Sequence, residues 1–311
     1  MELQQLRYVV AVARTGNFSR ASEQCHVSQP SLSQQIQKLE EELGERLFDR
    51  LKSRARLTPA GEALHERAVR ILAEVDAANR EATEHRTLTR GKINVGLLPT
   101  IAPYLLPHVL PRFSRAFPGI EIVVQEDTTA RLLNSLTGCE LDLAVASLPI
   151  ADQRMHTETL FTEELRVALP PRHPLTRQRS IQATDLESER FILMQEGHCL
   201  GEQVLNFCTR RDFHPNILCR SAQIETIRAL VAAGMGISLI PAMACPKSGA
   251  AQRLYRPLAA PAPHRSISAV WLEARPPRHA VLAFLEHLRA AERSVTGGHR
   301  RLSAERRGAV G

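Results

Sequence analysis

At 311 residues the chain is long enough for two domains with sizeable cores, and its 43% hydrophobic and 23% charged residues suit a soluble globular protein. No apolar run approaches the roughly 18 residues of a membrane span, so no membrane-spanning helix is expected. The net charge is +7, but the final stretch "RAAERSVTGGHRRLSAERRGAVG" carries six arginines against two glutamates, so charge alone says little about nucleic-acid binding.

The start, "MELQQLRYVVAVARTGNF", has no basic n-region, and Arg7 and Arg14 bracket its short apolar stretch. It does not read as a secretory signal, and a cytoplasmic protein is expected. There the six cysteines should be thiols at rest, and without C-x-x-C pairs they do not suggest structural zinc.

Residues 1 to about 58 show short helical patterns and no convincing strand. "SRASEQC" predicts a short helix in which the small Ala21 permits close contact, "HV" a turn, and Ser28 the N-cap of a second helix with Pro30 in its first turn. Val27, Leu32, Ile36 and Leu39 form the inward stripe. Gln29, Ser31, Ser33, Gln34 and Lys38 then face outward, with Ser28 and Pro30 at the leading end, as a helix that reads double-stranded DNA requires. In "RLKSRAR", Arg50, Lys52, Arg54 and Arg56 alternate, which suits a basic wing lying along a phosphate backbone or in a minor groove.

From Thr58 a long helix is expected, with Thr58 as N-cap and Pro59 in the first turn. Leu64, Ala68, Ile71 and Val75 recur at the 4-3-4 spacing of a heptad seam, which points to dimerisation; packing on its own domain is the alternative.

After "TLTRGK" strand-like and helical runs alternate. "INVGLL", "IEIVVQE", "LDLAVAS", "LRVALP", "RFILM", "NILCRS", "GISLIPAM" and "SISAVWLE" predict strands. "PYLLPHVLPRFSRAF", "TARLLNSLTG", "GEQVLNFCTRR", "ETIRALVAAG" and "RHAVLAFLEHLRAAE" predict helices. The expected fold is an α/β unit of two lobes with mainly parallel sheet. The predicted organisation is residues 1–58, a linker helix over 59–89, lobe one over 90–163 and 268–293, lobe two over 164–267, and a basic, disordered tail over 294–311.

Within this unit "GHCLGEQVLNFC" places Cys199 and Cys208 nine residues apart. On one helix their sulfurs would lie about 13 Å apart along the axis and on opposite faces. A disulfide needs Cα atoms within about 7 Å, so the bond requires the helix to break. The pair reads as two buried hydrophobes, a metal site, or a switch. A zinc site from His198, Cys199 and Cys208 fails because adjacent residues point to different faces and no fourth ligand suggests itself. No metal and no cofactor are expected. Cys25, Cys139, Cys219 and Cys245 read as buried, though Cys245, before Pro246, could also be an exposed thiol.

The motifs "FSRAS", "VSQPSLSQQIQKLEEELG", "LFDR" and "LTPAGE" resemble those of the LysR-type transcriptional regulators, and the likeness runs to about residue 293. It implies an all-α winged helix-turn-helix domain, a linker helix and a two-lobed effector domain like a periplasmic binding protein. It also implies a homo-oligomer, dimer or tetramer, with operator DNA, RNA polymerase and a small effector as partners. "LMQEGHCLGEQVLNFC", "PTIAPYLLPH" and "ETIRALVAAGMGISLIPAMA" are most similar to the family's peroxide-sensing branch. That resemblance gives Cys199 the role of peroxide-reactive thiol and Cys208 that of its resolving partner. It places Thr100, Thr129 and Arg265 around the peroxide. Chemically, His198 and free N–H groups at a helix start near Gly197 could lower the Cys199 pKa. The chain departs at Leu218, where some relatives carry histidine. Two other readings stay open: a small-molecule effector held by Thr100 and Thr129 with incidental cysteines, and a thiol peroxidase, for which the N-terminal half would have no purpose.

Overall fold

The computed structural model describes residues 1–51, 54–84 and 91–295. Three helices open the chain: α1 (Leu3–Thr15), α2 (Phe18–Gln24) and α3 (Gln29–Leu43). Asn17 caps α2 by accepting from the N–H groups of Ser19 at 2.8 Å and Arg20 at 3.1 Å. Ser28 caps α3 by accepting from Ser31 N–H, and Pro30 occupies the first turn, where an absent N–H leaves nothing unpaired. Between the two helices His26 takes the left-handed φ of 53°. Leu32, Ile36 and Leu39 are fully buried in one cluster with Val9, Val12 and Ala21.

The stretch read as strandless forms a hairpin: β1 (Phe48–Leu51) pairs antiparallel with β2 (Arg54–Leu57), with Asp49 opposite Arg56. Four-residue strands are too short to show period-two patterning, and their order comes from neighbours. Glu40 at the end of α3 accepts from Leu47 N–H at 2.7 Å and Phe48 N–H at 3.2 Å. Thr58 N–H donates to the Leu47 carbonyl at 3.0 Å, and Thr58 Oγ1 accepts from Gly61 N–H at 3.0 Å. The same threonine thereby anchors the hairpin and starts α4 (Pro59–Glu84). A Cβ on Gly61 would stand 2.1 Å from the Leu47 carbonyl oxygen, so this first turn requires glycine.

Helix α1 packs along α4. Ala68 is buried, Leu64 packs on the helical core, Val75 is half-buried and Ile71 is 37% exposed. The upper seam therefore serves its own unit and Ile71 remains open. Residues 85–89 of the expected linker and 296–311 of the expected tail lie outside the described residues.

The second unit runs β3 (Gly91–Leu97), α5 (Ala102–Ala116), β4 (Ile120–Glu126), α6 (Thr129–Thr137), β5 (Leu143–Ser147), β6 (Met155–Ala168), β7 (Arg190–Met194), α7 (Cys199–Thr209), β8 (Asn216–Ser221), α8 (Ile224–Ala232), β9 (Ser238–Pro241), β10 (Tyr255–Pro257), β11 (His264–Leu272) and α9 (His279–Val295). Its strands form a seven-stranded sheet that is mixed rather than mainly parallel, and a separate β7–β8 pair. β3 pairs in parallel with β4 and β5, and β7 with β8. β11 runs antiparallel to β5 and β6, while β6 is antiparallel to β9 and β10. The reason is topological: the 14-residue β6 carries the chain from one hydrophobic core to another, and β11 returns beside it in the opposite sense. Met155, Leu160 and Phe161 of β6 belong to the first core, Leu165 and Val167 to the second. These two cores make the lobes. α9 continues to Val295, two residues into the segment assigned to the tail.

Gly61→Ala should destabilise the helical unit by about 1–3 kcal/mol, read as a lower urea midpoint in a tryptophan-independent probe such as far-UV circular dichroism.

Candidate functional site

Where β6 and β11 pass between the cores, a buried charged centre is built from residues far apart in sequence. Glu163 and Arg265 are direct cross-strand partners. Arg265 is 1% exposed and its guanidinium is fully engaged. Nε donates to Glu163 Oε1 at 2.8 Å, and the two terminal nitrogens donate to Thr100 Oγ1 and the Thr100 carbonyl, both at 3.0 Å. Glu163 Oε2 accepts from Met243 N–H at 2.9 Å. Each charge thus has the partners that burial demands. Thr100 sits in the turn between β3 and α5.

Helix α7 begins beside this centre. The turn into it uses Gly197 at φ +84°, a conformation suited to glycine, and His198 is the N-cap residue, half-buried and without a side-chain capping bond. Cys199 is half-buried and packs against the first core. Nine residues on, Cys208 has no exposed surface and belongs to the second core. The helix between them is continuous and both thiols are free.

Burial pushes the Cys199 thiol up, and the Glu202 carboxylate adds to this. Arg265 opposes most strongly, then the Thr129 hydroxyl and the Leu200 N–H. The direction differs from the lowered pKa that sequence suggested, because desolvation outweighs the cation and the helix-start N–H. His198 is not among the groups that act on the sulfur. Thr129 Oγ1, at the start of α6, is buried without a hydrogen-bond partner, so it is available to donate to a thiolate. Burial pushes the Cys208 thiol up to about 12, which leaves it protonated while the helix holds.

Sequence reasoning missed Gln203 and Ser147. From α7, Gln203 Nε2 donates to Ser147 Oγ at 2.8 Å and to the Leu148 carbonyl at 3.1 Å, while its buried Oε1 lacks a partner. The available signal was helical spacing: Gln203 lies one turn beyond Cys199 on the same face. Leu218 is 38% exposed on β8 and is not among the groups acting on the Cys199 sulfur. Cys245 is not an exposed thiol: it is 7% exposed, its thiol donates to the Pro241 carbonyl, and burial pushes it up to about 12. Cys25, Cys139 and Cys219 are half-buried rather than fully buried.

On the helical unit, Ser28, Gln29, Pro30, Ser31, Gln34 and Lys38 are exposed along α3 and Ser33 is half-buried. Arg56 is exposed on β2. Arg50 and Arg54 stand on β1 and β2, but their side chains, and Lys52 altogether, lie outside the described residues. Among the described residues no cluster of three metal-ligating side chains occurs, and no helix is long and apolar enough to cross a membrane.

A helix-turn-helix with a hairpin wing, followed by a two-lobed α/β unit with a polar centre between its cores, defines a DNA-binding regulator with an effector domain. Residues 3–62 match the bacterial regulatory helix-turn-helix proteins of the lysR family, and residues 86–293 match the LysR substrate binding domain. The chain belongs to the LysR family of transcriptional regulators. It is 36% identical over 279 residues to the hydrogen peroxide-inducible genes activator of Dickeya chrysanthemi, covering 89% of this chain and 92% of that one. Among solved structures it resembles a full-length OxyR from Pseudomonas aeruginosa carrying a cysteine-to-aspartate change, with TM-score 0.76, 35% identity and coverage of 93% and 98%. It also resembles a cysteine-to-serine OxyR of Corynebacterium glutamicum bound to H2O2, with TM-score 0.63, 28% identity and coverage of 95% and 94%.

Thr129→Val keeps the shape of the side chain and removes the hydroxyl, so the Cys199 thiol should rise further. Alkylation of Cys199 at pH 7.5 should slow about five- to tenfold, since one pKa unit is a tenfold change in thiolate. In wild type the rate should keep climbing with pH above 8, because a raised pKa leaves the thiolate a minority there.

Proposed function

We propose that this chain is a cytoplasmic transcriptional regulator switched by hydrogen peroxide through a reversible Cys199–Cys208 disulfide. The observation that carries the reading is the placement of the two thiols at opposite ends of one unbroken helix, each lodged in a different core, beside a buried cation and an unpaired hydroxyl. The likeness to hydrogen peroxide-inducible genes activators and to an H2O2-bound neighbour supports it.

The chemistry follows from the groups present. The Cys199 thiolate attacks one peroxide oxygen; the S–O bond forms as the O–O bond breaks, and hydroxide leaves, to be protonated to water. Thr100, Thr129 and Gln203 orient the peroxide, and the Arg265 charge favours the thiolate and the departing anion. The resulting Cys199 sulfenic acid cannot meet Cys208 while α7 is helical. When the helix unwinds, Cys208 leaves its apolar core, ionises and attacks the Cys199 sulfur. The S–S bond forms, the S–O bond breaks, and a second water leaves. One peroxide is reduced per two thiols oxidised. This is a stoichiometric signal rather than turnover, consistent with a regulator and not an enzyme.

For the output, residues 1–58 read operator DNA through Gln29, Ser31, Ser33, Gln34 and Lys38, with Arg50, Lys52, Arg54 and Arg56 on the phosphates. The α4 seam at Ile71 and Val75 joins two copies, dimers pair into a tetramer, and RNA polymerase reads the result. A carboxylate effector fits the centre less well, because every nitrogen of Arg265 is already engaged within the protein.

Reduced protein treated with micromolar peroxide should yield an intramolecular Cys199–Cys208 disulfide by mass spectrometry and an altered DNA footprint. Cys199→Ser should abolish both. A Cys199→Ser protein that responds like wild type, or sustained peroxide turnover at enzyme-like rates, overturns the proposal.

A further inference from the structure

Besides the strands and the Arg265 centre, two side-chain ties among the described residues join the lobes. One is Gln203 on Ser147, already described. The other lies on a different edge of the same junction. Tyr104 stands on the first turn of α5, and its ring packs against both hydrophobic cores. Its hydroxyl donates to Glu225 Oε1 on α8 at 3.1 Å. Glu225 in turn accepts from an Arg228 terminal nitrogen at 2.9 and 3.1 Å, while Arg228 Nε donates to the Tyr255 hydroxyl at 3.1 Å with its guanidinium over the Tyr255 ring. The carboxylate is therefore held in place by its own lobe and presented to the tyrosine of the other. Burial, then the facing carboxylate, push the Tyr104 hydroxyl up, so it remains a donor.

The position of this tie connects it to the switch. Tyr104 N–H donates to the Ile101 carbonyl at 3.1 Å, which makes the Tyr104 turn continuous with Thr100 and hence with Arg265. Cys199 packs on the first core, although the rest of its helix is buried in the second. For α7 to unwind, Cys199 must leave the first core, and any tie that holds the cores in register opposes that departure.

We infer that Tyr104 and Glu225 form an interlobe clasp that restrains disulfide closure, so that these two positioning residues set how fast the oxidised thiol becomes a signal. The inference rests on the peroxide-switch reading. The clasp acts after the peroxide step: it touches neither thiol, and its loss leaves Thr100 and Thr129 in place. A single partly exposed hydrogen bond of this kind governs a rate by several-fold, not by orders of magnitude.

The test separates the two steps in full-length reduced protein under single-turnover excess peroxide. Loss of the Cys199 thiol and appearance of the Cys199–Cys208 disulfide are followed by quenched mass spectrometry. Tyr104→Phe keeps the ring in both cores and should lose the thiol within twofold of the wild-type rate, yet close the disulfide about five-fold faster. Glu225→Ala should behave the same way. Glu225→Gln retains an acceptor for the tyrosine and should restore the wild-type closure rate. Equal closure rates in wild type and Tyr104→Phe overturn the clasp, as does an equal change in both steps. If wild type forms no such disulfide, the switch reading itself has failed, and hydrogen exchange of α7 in the reduced proteins decides the clasp. Faster exchange in Tyr104→Phe than in wild type supports it, and identical exchange overturns it.

Discussion

Helix α7 and a Cys199–Cys208 disulfide exclude one another, and much of the effector unit is arranged around that exclusion. Nine residues of helix separate the cysteines by about 13 Å, roughly twice what a disulfide spans. Each end is also fixed to something different: Cys199 to the first core, Cys208 to the second. Gly201 seats the helix on β7, where a Cβ would come within 2.9 Å of the Met194 carbonyl oxygen. An 11-residue helix is marginal alone and is held by its packing.

The frame on which α7 is seated is the crossing of β6 and β11. Arg265 and Glu163 face one another there with almost no exposure, and the pair also holds Thr100 and Met243 N–H. A buried ion pair of this kind contributes little net stability, but removing either partner strands a charge, at a cost of about 3–5 kcal/mol. Its service is positional. It fixes a positive charge near a thiol that burial otherwise keeps protonated, and it ties that charge to the turn carrying Thr100. Reactivity in the reduced state is thus a balance between desolvation and Arg265, with the Thr129 hydroxyl as the smaller adjustable contribution.

Features set by local chemistry were legible in the sequence. Ser28 before Gln-Pro-Ser and Thr58 before Pro-Ala-Gly are capping signals, and both residues cap helices as expected. The stripe Leu32, Ile36 and Leu39 and the cysteine spacing on α7 follow from helical period alone. Features set by distant partners were not. The first ten residues of β6, "MHTETLFTEE", mix polar and apolar side chains because they pair antiparallel with β11 and expose one face. Nothing local shows that Glu163 lies opposite a residue 102 positions away, or that Glu40 closes the hairpin from the end of α3. The direction of the Cys199 shift was hidden for the same reason: helix-start N–H groups are visible in sequence, whereas the burial that outweighs them is a property of the assembled cores.

If Cys199 and Cys208 join, the bond forms at the expense of the helix. Hydrogen–deuterium exchange over residues 199–209, before and after peroxide, measures this directly. Protected α7 amides are expected in the reduced protein and loss of that protection in the disulfide form, with β6 and β11 unchanged. A disulfide-linked protein whose α7 amides remain as protected as in the reduced state would contradict it.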